Sequence, residues 1–410
     1  MTSAPPIARV LYVVSLFPCW SETFIVREIQ TLIADGVDVR ILSLKPACEK
    51  LVQWDAKALF ERAHYPDLGM HGVLSATASV LRHPWTSLTC FAAIVADMWR
   101  TPTAMLKSLV ALFRGLQQLR WLTAFDPQLI HAHWATYPST VAWALARITG
   151  RHFSFTCHAH DIFLEHQLLA RKIDEAALAV TISRFNVQWL SQRVGDGAAS
   201  KLAVVHCGVD WRRIACELDG RNERHIVAVG RLDPIKGFDV LIEALHQLSL
   251  RNIEYRCTVI GEGPLRAALE AQTRACGIVE RVAWVGALPQ EAVQAALRDA
   301  AIFALPCQVA ADGNRDGIPV ALMEAMVAGC TVVSTDVSGI PELVEDQVTG
   351  LVVAARDPVA MADALQSLFA DGGLRRRLAI AARSHVELQF DARAEARRLH
   401  HLMSEAVHAR

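Results

Sequence analysis

Short apolar runs that end in Gly, Pro, Ser or Asp alternate along the chain with longer segments whose apolar positions recur at helical spacing. That alternation marks βαβ units, in which a strand buried on both faces is followed by a helix that covers the sheet. In the first half, runs at 8–15, 37–44, 128–133, 152–157, 178–182 and 202–206 predict strands. Residues 22–35 predict a helix, with Phe24, Ile25, Ile29, Leu32 and Ile33 on one face, Ser21 placed to cap it and Gly36 to stop it. A polar stretch at 210–223, carrying Asp210, Asp219, Gly220 and Asn222, reads as a link between two halves. The alternation then restarts, with strands predicted at 224–229, 255–260, 281–285, 301–305, 330–334 and 350–353. Helices should begin near Gly237, Pro264, Pro289, Pro319, Pro341 and Pro358, since proline in a first helical turn costs no hydrogen bond.

The expected fold is therefore α/β with two doubly wound domains. One spans 1–210 with a helical insertion at about 70–125, the other spans 222–385, and 386–410 form a C-terminal helix able to pack back on the first domain. A length of 410 residues agrees, because single cores rarely grow that far. A net charge of -1 lacks the one-sided field of a nucleic-acid binder. Ten cysteines from Cys19 to Cys330, with no C-x-x-C pair, fit thiols in a reducing cytoplasm. No run reaches the roughly 18 unbroken apolar residues of a membrane span, and the N-terminal MTSAPPIARVLYVVSLFPCW reads as a first strand rather than a signal peptide.

Two stretches of the second half carry candidate chemistry. In VAVGRLDPIKGFDVLIEAL, 227–245, Arg231 and Lys236 leave the carboxyl end of a predicted strand, the edge where open α/β sheets bind ligands. Two cations there suit a diphosphate leaving group. In DGNRDGIPVALMEAMVAGCTVVSTDVSGIPELVEDQVTGLVV, 312–353, Asp316 precedes a helix opened by Pro319, and Glu324 lies in its second turn. Pro319 has no N–H, so the amides of Gly317, Ile318, Val320 and Ala321 must supply any anion-accepting donors.

The segments GRLDPIKGFDVLIEAL, IGEGPLRAALE and GIPVALMEAMVAGCTVVSTDVSGIPELV resemble the retaining family 4 glycosyltransferases, in particular bacterial exopolysaccharide enzymes of the colanic-acid type. SLFPCWSETFIVREI and FTCHAHDIF extend the resemblance more loosely into the first half. It implies a GT-B fold, two Rossmann-like domains facing across a cleft, that moves a hexose-type sugar from a nucleotide diphosphate donor to a saccharide or lipid-linked acceptor. Donor would bind mainly to the second domain, with no metal or other cofactor. By the same resemblance Arg231 and Lys236 hold the diphosphate, Glu324 the ribose and Asp316 the transferred sugar. Gly230, Gly261, Glu262 and Gly263 would border the nucleotide, and His158 would contact the sugar from the first domain. Ser21, Glu22 and Thr23 are acceptor-side candidates. The family's usual first carboxylate is Glu, and Asp316 is one methylene shorter.

Two other functions compete with this expectation. His131 with His133, and His158 with His160 and Asp161, form H-x-H pairs that could hold a metal in a metal-dependent hydrolase. A non-catalytic nucleotide-sugar-binding subunit would keep the phosphate site and lack turnover. Residues 71–125 carry Arg82, Arg100, Lys107, Arg114 and Arg120 against the one acid Asp97, with Trp85, Trp99 and Trp121. There Met105, Leu109, Leu112, Leu116 and Leu119 mark a helical face opposite Lys107 and Arg114, expected either to lie on the inner, anionic face of the cytoplasmic membrane or to pack on the first domain.

Overall fold

The structure, a computed structural model, describes residues 5–19, 22–46, 58–165, 167–195, 197 and 200–409. Met1–Ile182, Asn186–His206 and Ala392–Arg410 form one compact unit, and Ser183–Phe185 with Cys207–Asp391 form a second. The chain passes between them at 206–207, ahead of the polar stretch 210–223.

The first unit is built on a seven-stranded sheet: β1 (Arg9–Val14), β2 (Asp38–Ser43), β3 (Ala63–His64), β4 (Leu129–His133), β5 (His152–Cys157), β6 (Leu178–Thr181) and β7 (Leu202–Val204). Their order is β3-β2-β1-β4-β5-β6-β7 and every pairing is parallel. Strand order reverses between β1 and β4, which opens a crevice at the carboxyl ends of those two strands. The expected strands stand within one or two residues of their predicted bounds. The two-residue β3 went unpredicted because so short a run carries no period. The helix Thr23–Ala34 lays Ile25, Ile29 and Leu32 into the core. Its N-cap residue is Glu22, without a side-chain cap, and Ser21 lies outside the described residues.

The insertion is helical as expected: Met70–Arg82, Pro84–Met98, Pro102–Gln117 and Leu119–Phe125. Its predicted membrane face turns out to be a packing face. Leu112, Leu116 and Leu119 are buried, and Met105 and Leu109 are half-buried. A Cβ at Gly115 would come within 2.5 Å of Val141 Cγ1 on the helix Tyr137–Thr149, and Arg114 donates to the Leu44 carbonyl at 2.9 Å. The amphipathic period of this helix is satisfied by the unit's own core.

Residues 386–410 split at Phe390–Asp391. The helix Gly372–Gln389 stays with the second unit, whereas Ala392–His408 belongs to the first. Leu399 and Met403 join the core beside Ile25 and Leu32, and the Arg397 guanidinium forks onto both Asp35 oxygens at 2.8 and 3.0 Å.

In the second unit six parallel strands, β8 (Asn222–Val229), β9 (Arg256–Ile260), β10 (Val282–Gly286), β11 (Ala300–Leu305), β12 (Thr331–Thr335) and β13 (Leu351–Val353), stand in the order β10-β9-β8-β11-β12-β13. The switch point falls between β8 and β11. The expected proline starts need one correction. Pro358 does open its helix and Pro341 lies in a first turn, but Pro289 and Pro319 are N-caps with ψ of 155° and 123°, one residue ahead of the helices Gln290–Asp299 and Val320–Ala328. The fixed φ of proline suits the cap as well as the first turn, and ψ decides between them.

Candidate active site

In the second unit the turns after β8, β9 and β11 interlock. Gly230 N–H bonds to the Ile260 carbonyl at 3.0 Å and Leu232 N–H to the Glu262 carbonyl at 3.0 Å. A Cβ at Gly261 would stand 1.9 Å from the Gly230 carbonyl oxygen, and one at Gly263 2.4 Å from that of Leu232. These two glycines are therefore required by close backbone approach. The Glu262 carboxylate turns aside to pair with Arg266 at 2.9 Å. Gly237 (φ +68°) meets the turn after β11, where a Cβ would reach 1.8 Å from the Pro306 carbonyl oxygen. The Gln308 amide ties the two turns together by donating to the Pro234 carbonyl at 2.9 Å and Asp239 at 3.0 Å.

That interlock brings Lys236 onto Asp316. The ammonium forms a short ion pair with Asp316 Oδ2, which also accepts from the Cys307 thiol at 3.6 Å. Burial works most strongly against the Lys236 charge, but the charge and hydrogen bond of Asp316, with Cys307 and Asp233 nearby, together outweigh it and the net shift is upward, so Lys236 stays an ammonium. Arg231 is placed differently: its side chain is 73% exposed, 3.6 Å from Asp233, whose carboxyl burial pushes upward.

Beyond Asp316 the backbone enters the helix Val320–Ala328 through Gly317, Ile318 and Pro319, all buried. Among the described residues, the amides of Gly317, Ile318, Val320 and Ala321 meet no acceptor. Glu324 follows, half-buried, in the second turn. The structure thus gathers Lys236, Asp316, four open amides and Glu324 at the β8/β11 switch point.

In the first unit a second cluster occupies the β1/β4 switch point. Tyr12 on β1, His131 on β4 and Ser154 on β5 stand side by side in the sheet register. His131 is buried and satisfied, with Nδ1 2.8 Å from Ser154 Oγ and Nε2 3.3 Å from Thr156 Oγ1. His133 joins two other groups: Nε2 lies 3.1 Å from Glu28 Oε1 and Nδ1 3.1 Å from His158 Nε2. Phe24, one turn before Glu28, packs on the His158 ring at 4.9 Å between centroids, in the first turn of the helix that Glu22 caps and Thr23 opens.

Two buried charged groups hold these turns. Asp161 accepts from Ala135 N–H at 2.6 Å and from His158 N–H at 3.0 Å, tying the turn after β4 to that after β5. Lys172 donates to the Ala135 carbonyl and to Ser139 Oγ at 3.1 Å. Ala135 is gripped on both sides, which supports its neighbour Trp134 in a left-handed conformation (φ 76°) unusual for a bulky residue. Asp161 thus serves the backbone. Among the described residues, the groups whose ligand atoms lie within 4.8 Å of one another are Glu28, His131 and His133, not the two H-x-H pairs with Asp161.

Tyr12, Glu28 and Lys172 escaped the sequence reading. A usable signal existed for Glu28, which sits one turn after Phe24 in the middle of the buried helix stripe. Lys172 offered none, since its neighbours Arg171 and Asp174 make it look like part of a solvated face.

Two doubly wound parallel-sheet units, the second with a lysine and an open helix start at its switch point, define a transferase of the GT-B class. Residues 217–385 match the model of glycosyl transferases group 1 and residues 21–213 that of glycosyltransferase family 4. The chain is 31% identical over 409 residues to the amylovoran biosynthesis glycosyltransferase AmsK of Erwinia amylovora, covering 93% of this chain and 96% of that one. It is 40% identical over 167 residues to the colanic acid biosynthesis glycosyltransferase WcaL of Escherichia coli (strain K12), covering 40% and 41% of the two chains. The solved structure of Anabaena Alr3699/HepE in complex with UDP shares the fold, with a TM-score of 0.67 at 16% identity over 96% of this chain and 98% of that one. The protein belongs to glycosyltransferase family 4.

Burial pulls Lys172 down from 10.5 to about 7, opposed by the nearby Asp161 charge. Below about pH 7 both folded and unfolded chains hold this proton and the cost of the buried charge is full. Between about pH 7 and 10.5 only the unfolded chain holds it, so that cost fades as pH rises. Urea midpoints of the wild type should therefore climb relative to Lys172→Met across that window. Parallel curves would show that Lys172 has the same proton affinity folded and unfolded.

Proposed function

We propose that this glycosyltransferase moves a hexose-type sugar from a nucleoside diphosphate donor to a saccharide or lipid-linked saccharide in surface or exopolysaccharide synthesis, with retention of configuration. The observation that carries the donor class is Lys236 standing next to four acceptor-free amides at one helix start. A diphosphate satisfies both at once, and in doing so takes Lys236 from Asp316. Asp316 is then released to a hydroxyl of the sugar, Glu324 holds the ribose, and Arg231, exposed beside Asp233, closes on the outer phosphate. Charge that grows on the leaving oxygen is met by groups already in position, so the step runs without a divalent ion. AmsK, named for amylovoran biosynthesis, and HepE, which holds UDP, support this reading.

The kinetic signature separates the roles. Lys236→Ala should lower kcat by about 10²–10³, the usual cost of one preorganised charge-stabilising donor. Asp316→Ala should act chiefly on kcat, since misplacing the reacting carbon by about 1 Å can cost on the order of 10²-fold. Glu324→Ala should act chiefly on donor KM, because the ribose does not change charge. The assay is a screen of nucleotide sugars in EDTA, with product anomers read by NMR. A β-linked product from an α-linked donor, or full activity of Lys236→Ala, would overturn the proposal.

We place the work of the enzyme at the cytoplasmic face of a membrane. Among the described residues no helix is long and apolar enough to cross one. The insertion instead turns a second apolar stripe outward: Trp85 (79% exposed), Leu88, Val95 and Trp99 (61%), flanked by Leu74, Leu81 and Leu106 on the neighbouring helices. Arg82, Arg100 and Lys107 are exposed among them, and the one acid in the stretch, Asp97, accepts from Leu168 N–H at 2.7 Å. Apolar bodies with tryptophan at the stripe ends and cations around them suit an anionic lipid surface. The protein should sediment with vesicles containing anionic lipid, release in salt, and lose binding on Trp85→Ser with Leu88→Ser. Equal partitioning onto neutral vesicles would remove the electrostatic part.

A further inference from the structure

The helical insertion encloses a space as well as covering the first unit. Its helix Pro102–Gln117 packs on the helix Tyr137–Thr149 where Gly115 meets Val141, and its helix Pro84–Met98 is fastened to the turn at 164–168 by Asp97, which accepts from Leu168 N–H at 2.7 Å. Between these walls lies an open recess of about 230 Å³, whose lining includes Met98, Lys107, Ser108, Tyr137, Glu165 and Gln167. All of them belong to the first unit. The helix that Tyr137 opens is the one that follows β4, so the recess stands at the sheet edge where open α/β folds take their ligands.

The polar groups of this recess are unengaged. Ser108 is only 4% exposed, yet among the described residues its hydroxyl has no hydrogen-bond partner, and the same holds for the Tyr137 hydroxyl and the Gln167 amide. Lys107 and Glu165 border one small space and form no ion pair, either with each other or with another described residue. Leaving so many polar ends open in one place has a cost, most of all at buried Ser108. Charge then narrows the occupant. Glu165 repels a phosphate, Lys107 repels a cation, and an alkyl chain would cut the polar groups off from water without giving them partners. Sugar hydroxyls both donate and accept, so one ring can serve the carboxylate, the ammonium and the neutral groups together while its C–H bonds lie against Met98. The volume falls below the roughly 300–1,000 Å³ of a whole small-molecule site, which fits one ring of a longer chain.

We infer that this recess is a subsite for one pyranose ring of the saccharide acceptor, held by Lys107, Ser108, Tyr137, Glu165 and Gln167. The inference rests on the proposed saccharide acceptor and deepens it by naming the side chains of the first unit that bind it.

Saturation-transfer NMR on the whole protein tests the subsite without donor or turnover. The probes are the methyl glycosides of glucose, galactose, mannose and N-acetylglucosamine, with inorganic pyrophosphate titrated separately. Saturation should pass to at least one glycoside, and should still do so after UDP and GDP are added. Glu165→Gln should weaken that binding about tenfold, the weight of a hydrogen bond to a charged group, Lys107→Met by a similar factor, and Tyr137→Phe about fivefold. None of the three removes a hydrogen bond of the fold among the described residues, so the melting temperature should stay at the wild-type value. A role confined to folding would lower the melting temperature and leave glycoside binding in place. Transfer to none of the four glycosides, equal transfer in the wild type and all three variants, or pyrophosphate binding that Lys107→Met abolishes would each overturn the subsite. Glycosides that bind as expected to an enzyme that transfers sugar from no nucleotide donor would instead overturn the proposed function and leave the recess a saccharide site.

Discussion

Every strand pairing in both sheets is parallel, and a parallel sheet delivers all its strand-to-helix turns to one edge. Where strand order reverses, the turns on either side diverge and leave a crevice that no helix fills. Both polar clusters of this protein lie in such crevices, Tyr12 with His131 and His133 at β1/β4 and Lys236 with Asp316 at β8/β11. The chemistry is therefore placed by topology before any particular side chain is considered. What the side chains add is the finer geometry: Gly237, Gly261 and Gly263 let the turns touch backbone to backbone, and those contacts carry Lys236 to Asp316.

The ion pair so formed has a cost. Taking an ammonium and a carboxylate largely out of water is repaid only by their mutual attraction, and apolar residues in the same space would often serve stability as well or better. The pair makes sense as one that can change partners. In the proposed function a diphosphate would bring more charge to Lys236 than Asp316 does and would find the four amides of the helix start as well, so donor binding would break one ion pair and form a larger set of contacts. The carboxylate so released is the one that the proposal assigns to the sugar rather than the phosphate. The first unit shows the same economy, with buried Asp161 and Lys172 both spent on the backbone of the two turns that carry His133 and His158.

Much of this was legible in the sequence because it depends on period and punctuation. Strands, helices and the two α/β halves follow from apolar runs ended by Gly, Pro and Asp, and the motifs around Lys236 and Pro319 mark the β8/β11 crevice. Less legible was anything that depends on which face a residue presents to a distant element. The stripe from Met105 to Leu119 is amphipathic whether it meets lipid or the helix Tyr137–Thr149, and only the fold shows that it meets the helix, leaving Trp85 and Leu88 outside. Gly261 and Gly263 read as neighbours of a nucleotide, and the fold adds a second requirement that the sequence did not show: their absent side chains make room for the Gly230 and Leu232 carbonyls. Glu28 reaches His133 across 105 residues, a separation at which no local pattern speaks.

The central claim is that Asp316 and the donor diphosphate compete for Lys236. Calorimetric titration of UDP, GDP and ADP in turn into the wild type, Asp316→Asn and Lys236→Met tests it without any acceptor or turnover. Competition predicts that Asp316→Asn binds the preferred nucleotide more tightly, by about tenfold for 1.4 kcal/mol of relieved attraction, while Lys236→Met binds it more weakly. Equal affinity in all three proteins, or weaker binding by Asp316→Asn, would contradict the account.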